Sequence, residues 1–317
     1  MCLNKKILFF LFIVTTQFAL GQSDEYSRLI KKADSLYDAK DFRNSALTYS
    51  AAFKSNDWKG KSSDRYNAAC SWALAGYVDS AFFNLQRIAD RANYSNYNHI
   101  SNDADLKSLH TDNRWKPLLS KIKDNKEKSE AGLDKPLLQR LDSMAMEDQK
   151  WRNYMSQSWN GELKGDALTM ETFAQNCMLT DSLNYYHLRD IFTKYGFPNY
   201  DLVGEKGSSN FWLLVQHQDR HPSFQDSVLV KMKIEVDSNK ASASNYAYLV
   251  DRVKVNKGEP QVYGTQMQMN SDTTSFEPKD VIEPSRLNER RKSVGLDSIE
   301  SYIQMMNERN PGSLKKK

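Results

Sequence analysis

Three hydrophobic patterns follow one another along the chain. Residues 7–14, Ile-Leu-Phe-Phe-Leu-Phe-Ile-Val, form one unbroken apolar run. Through the first half, apolar residues then recur every three or four positions between short polar turns, which is the spacing of amphipathic helices. Beyond Leu137 the helical spacing resumes, with Leu137, Leu138, Leu141, Met144 and Ala145 on one stripe that continues to Trp159. A second helix is expected over 171–195, stopped by Gly196-Phe197-Pro198 and open to a local break at Thr180-Asp181-Ser182. Further helices are expected over 207–220 and Ser223–Val236. After Tyr246-Ala247-Tyr248-Leu249 the period shortens. Val253-Lys254-Val255 and Val262 to Met269 alternate on either side of Lys257-Gly258-Glu259-Pro260, which predicts a β-hairpin. Two short helices, Pro284–Val294 and Ser298–Glu308, close the pattern before a frayed tail.

The first half repeats itself. A shift of 35 residues lays Ala33 on Ala68, Tyr37 on Trp72, Phe42 on Tyr77, Ala46 on Ala81, Leu47 on Phe82 and Phe53 on Ile88. Small residues let two helices approach closely, and the aromatics fill the gap to the next pair. On these positions, "ADSLYDAKDFRNSALTYSAAF" and "YNAACSWALAGYVDSAFFNL" resemble tetratricopeptide repeats. A stable stack wants about three such units. The segment Asp103–Lys123, with Leu106, Leu109, Trp115, Leu118 and Ile122, is expected to cap the two that are clear. The charged stretch 124–136 reads as a linker.

The expected class is mainly α, with a tetratricopeptide-like helical solenoid over 22–123 and a helical domain with one small hairpin over 137–308. Residues 309–317 are expected to form a disordered tail. Lys5 and Lys6 before the apolar run, and Ala19-Leu20-Gly21 after it, make residues 1–21 a signal peptide with cleavage before Gln22. The run is short of the roughly 20 residues a membrane span needs. The mature chain is therefore expected in the periplasm or outside the cell, with no membrane span. The formal charge of +4 falls by two when Lys5 and Lys6 leave, which is no footprint for nucleic acid. Cys70 and Cys177 remain after cleavage. Whether they pair is left open, because geometry decides it.

Five stretches carry polar residues that a plain structural helix does not need. They are Asp148-Gln149-x-x-Arg152, Gln216-His217-x-Asp219, Tyr248-Leu249-x-Asp251-Arg252, Gln261-x-Tyr263-Gly264-Thr265-Gln266 and Arg290-Arg291-x-x-Val294-Gly295-Leu296. In this order they resemble the domain-of-unknown-function family 6624, over residues 137 to 305. That resemblance implies a motif set and no activity.

Chemistry must then come from residue types. Histidine takes and returns protons near neutral pH, so His217 is the candidate general base, with Asp219 or Asp251 to orient its ring. Arg252, Arg290 or Arg291 can hold an anionic group through the guanidinium fork. Gln216, Gln261, Tyr263, Thr265, Gln266, Asp148 and Arg152 complete the candidate binding set. No cofactor and no metal are expected. His217 and His221 are four apart, but His221 precedes Pro222, which drives it out of the helical region. No phosphate-binding loop and no nucleophile elbow are present.

Two functions remain in view. One is an exported interaction protein whose repeats bind a protein or peptide. The other is a hydrolase or transferase with His217 as base and a polar or anionic substrate. In a third, bland reading the polar clusters only hold the fold.

Overall fold

The computed structural model describes residues 25–159 and 169–310. The expected signal peptide, with its cleavage position, and most of the expected tail lie outside them. Among the described residues no helix is long and apolar enough to cross a membrane. The chain divides into two compact units at Ala131/Gly132.

Unit 1 is helical throughout. Helix α1 covers 25–38, followed by α2 (Phe42–Ser55), α3 (Ser62–Leu74), α4 (Val78–Arg91), α5 (Tyr97–Asn102) and α6 (Trp115–Ser129). The side chain of Asp41 caps α2, and Gly76 turns the chain into α4 with a positive φ. Three of the six pairs matched by the 35-residue shift share an environment. Ala33 and Ala68, and Ala46 and Ala81, are all fully buried, and so in effect are Phe53 and Ile88. The other three do not match: Phe82 is core while Leu47 is half exposed, Tyr77 is exposed while Phe42 is half-buried, and Trp72 is core while Tyr37 is half-buried. Ser45 binds the three leading helices together. Its hydroxyl donates to the Ala33 carbonyl at 2.8 Å and meets the Ser71 hydroxyl at 3.0 Å. Leu106, Leu109, Trp115, Leu118 and Ile122 join the same core as Phe82, Leu85 and Ile88. The expected linker is mostly structured. Helix α6 runs through its first part to Ser129, and α7 begins at Lys135.

Unit 2 contains α7 (Lys135–Trp159), α8 (Met170–Tyr195), α9 (Tyr200–Gln216), α10 (Pro222–Asp237), α11 (Ala243–Asn256), α12 (Leu287–Ser293) and α13 (Ile299–Arg309). Helix α7 packs on α8 and α9, and α10 packs on α11. Leu141, Leu188, Ile191, Phe211, Leu214, Val215, Val228 and Leu249 form the core. Thr180-Asp181-Ser182 does not interrupt α8. Gly204, at φ 69°, kinks α9, a conformation that disfavours any residue with a Cβ.

The hairpin is displaced from its expected place. Val253-Lys254-Val255 lies inside α11, with Val253 one turn beyond Leu249 on the buried face. The two strands are β1 (Met267–Met269) and β2 (Phe276–Pro278), antiparallel, with Gln268 opposite Glu277.

The small positions of unit 1 make a direct prediction. Ala81→Leu should cost about 1–3 kcal/mol, because the core has no room for the added carbons. Chemical denaturation checks this, and an unchanged midpoint would mean that packing does not require the small residue.

Candidate functional site

His217 is the C-cap of α9 and follows the apolar turn Phe211–Val215. Its ring lies 11% exposed against Asp148, with Nδ1 3.0 Å from Oδ1. Asp148 itself is fully buried on α7. It also takes Arg152 Nη1 at 3.0 Å on Oδ1 and Gln149 Nε2 at 2.8 Å on Oδ2. Arg152 reaches on to Asp181 of α8, with Nη2 2.9 Å from both carboxylate oxygens. One network thus joins three helices through an apolar core. Gln218 tightens it by donating to the Asp181 carbonyl at 3.2 Å.

The two carboxylates are tuned apart. Burial alone would raise Asp148, but the hydrogen bond and charge of His217, helped by Arg152, hold it below its ordinary value. For Asp181 burial wins over Arg152, and its carboxyl is pushed up. His217 Nε2 has no protein hydrogen-bond partner among the described residues. The imidazole is therefore oriented through one nitrogen while the other is left unbonded, the geometry a positioned base requires. Asp148, Asp181 and His217 also place one ligand atom each within 4.8 Å of one another. That donor set suits a cation, and the Arg152 guanidinium, bonded to both carboxylates, already brings positive charge there.

The carboxylates expected to orient His217 are engaged elsewhere. Asp219 accepts from Arg252 Nε at 2.8 Å, Arg252 Nη2 at 2.7 Å and Asn256 at 2.8 Å, a partly exposed pair between the α9–α10 turn and α11. Burial opposes its ionisation, and these donors lower its carboxyl in spite of it. Asp251 is fully buried and gathers the next loop. It accepts the backbone N–H groups of Val262 (2.7 Å), Tyr263 (3.0 Å) and Thr265 (2.9 Å), and the Thr265 hydroxyl (3.0 Å).

The remaining motif residues extend this second knot. Gln261 donates to the carbonyls of Gln266 and Lys279, both at 2.9 Å, and accepts from the Gln266 N–H. Gln266 in turn donates to the Thr265 hydroxyl. Arg290 donates to the carbonyls of Val262, Glu283 and Ile282. Arg291, 1% exposed, donates to those of Asp297, Tyr263 and Gly264. Gln216 ends α9, and its carbonyl accepts from Gln225. His221 caps α10 and stacks on Tyr185, ring centres 3.5 Å apart. Cys70 and Cys177 are both free thiols.

The five motifs therefore resolve into a His217 network, a loop knot around Asp251 and an ion pair at Asp219. Asp181 was the member not anticipated. Its signal was its place on the stripe Phe173, Cys177, Asn184, Leu188, Ile191, where only buried residues belong.

Asp148 makes the network's contribution pH-dependent. A lowered carboxyl stabilises the fold above its ordinary value of 3.8, and that contribution drains away as pH falls below it. Asp148→Asn should lose about 1.5–3 kcal/mol at neutral pH, since Arg152 keeps Asp181 but Arg152 Nη1 and His217 Nδ1 lose their charged acceptor. In melts taken from pH 7 downward, the gap to wild type should narrow below about pH 4. A gap constant with pH would remove Asp148 as the charged centre.

Comparison with curated proteins gives no match, and comparison with solved structures gives none either. A family of unknown function, DUF6624, matches residues 134–316. That span is more than half of the chain and includes both polar knots and every motif residue from Asp148 to Arg291. The chain belongs to this family.

Proposed function

We propose that this is an exported partner-binding protein, in which the helices of unit 1 act as tetratricopeptide-like repeats that hold a protein or peptide. One observation carries the reading. Trp58 is 53% exposed and sits in left-handed backbone, at φ 57°, directly after Asp57 at φ 52°. Such backbone costs a bulky residue of the order of 1–3 kcal/mol and accumulates at binding sites. The ring flanks a cleft of about 330 Å³ with Phe53, Arg65, Trp72 and Phe83, and Phe83 is 56% exposed. Exposed aromatics around a cleft are the residues that dominate binding energy at interfaces. Export rests on the N-terminal signal pattern, Lys5-Lys6 before an apolar run and Ala19-Leu20-Gly21 after it.

Peptides selected from a random library on the full chain should lose at least tenfold in affinity for Trp58→Ala/Phe83→Ala. Both side chains are largely exposed, so the fold should shift by about 0.5 kcal/mol or less. Selected peptides that bind the double variant equally well would defeat the reading.

A second reading is favoured by the Asp148–His217 contact. Here unit 2 is a hydrolase or transferase with His217 as general base and Asp148 as the residue that positions it. Arg152, Arg252, Arg290 and Arg291 all spend their donors within the protein, so the substrate of this reading is polar and uncharged rather than anionic. A metabolite and nucleotide library, screened by thermal shift, should contain a ligand that stabilises wild type and no longer shifts His217→Gln. If no compound shifts wild type while His217→Gln melts several degrees lower, the histidine is a structural tie.

A further inference from the structure

Arg65, at the start of α3, is 4% exposed and has no ion-pair partner among the described residues. A buried charge ordinarily finds an opposite one. Asp64, its neighbour in sequence, accepts from Tyr26 and Ser63 instead. Arg65 gives Nη1 to Asn84 Oδ1 at 3.1 Å and Nη2 to the Trp58 carbonyl at 2.6 Å, both neutral acceptors. Its guanidinium lies over the Phe53 ring, 4.3 Å from the centre. A guanidinium carries five N–H donors, so much of its capacity is unspent.

More positive charge converges on the same place. A cleft of about 230 Å³ beside Trp58 is lined by Lys59, Arg65, Arg87 and Arg91, and by no acidic residue. Arg87 Nη2 shares the Trp58 carbonyl at 3.3 Å. Burial first, and then the Arg87 charge, bring the Arg65 guanidinium down to about 10, so the cluster works against its own ionisation. The contrast with Arg291 is informative. That arginine is equally buried, but three backbone carbonyls take its donors.

We propose that Arg65, Arg87 and Arg91 form a binding site for a compact oxyanion, a carboxylate or phosphate group presented by whatever unit 1 holds. The site deepens the partner-binding reading and rests on it. An oxyanion supplies the missing countercharge and matches the planar fork of arginine. The cleft has room for such a group, and the rest of the ligand lies along the neighbouring aromatic cleft. Trp58 belongs to both clefts and sits where the two parts meet.

The test is calorimetric titration of the full chain with inorganic phosphate and, separately, with acetate, at fixed ionic strength in chloride. At least one should bind saturably. Saturation by phosphate alone assigns a phosphorylated ligand, and by acetate, a carboxylate. Arg87→Gln/Arg91→Gln should weaken that binding at least tenfold. Both residues reach solvent, so this variant should fold, and a wild-type melting temperature confirms it. Arg65→Lys keeps the charge without the fork and should fall between the two. If neither anion binds wild type, or if the double variant binds equally well, the proposal fails. That failure leaves peptide capture by Trp58 and Phe83 untouched, and loss of peptide capture leaves the titration standing.

Discussion

A charge withdrawn from water must be met inside the protein, and unit 2 is organised by how it meets two of them. Asp148 and Asp251 are both fully buried carboxylates, and each draws in donors from far along the chain. Asp148 pulls the end of α9 and, through Arg152, the middle of α8 onto α7. Asp251 pulls the loop after α11 back onto that helix. The apolar contacts around them supply bulk stability without direction. The carboxylates are directional, and they fix which helix turn meets which. Arg65 in unit 1 is less fully met, a buried charge with only two neutral acceptors, the Asn84 amide oxygen and the Trp58 carbonyl.

Much of this was legible in the sequence because it is local. Helix periods and the stop at Gly196 depend on residues within a few turns of each other. The hairpin was misplaced for a physical reason. Val253-Lys254-Val255 alternates, yet Leu249 and Val253 also lie one helical turn apart, and packing into the core decided for the helix. A short alternating segment carries both messages, and only its neighbours choose.

The site was half legible on the same grounds. His217 stood out by ending an apolar run, and Asp148 and Arg152 by sitting a turn apart on an otherwise apolar stripe. Their association crosses 69 residues, and no spacing rule reaches that far. Asp219 and Asp251 were nearer in sequence and looked better suited to orient the histidine. Their own donors claimed them first. Asp181 resembled a helix breaker because it stands between Thr180 and Ser182, but its place on the buried face of α8 outweighs its propensity.

The loop after α11 also has a mechanical character that follows from how its anchors are shared. Val262, Tyr263 and Thr265 share one carboxylate, and Gln261, Arg290 and Arg291 then fasten both ends of the same turn through backbone carbonyls. No bond in the set stands alone, so the segment cannot fray residue by residue. It should open and close as one cooperative piece, with its own equilibrium below global unfolding.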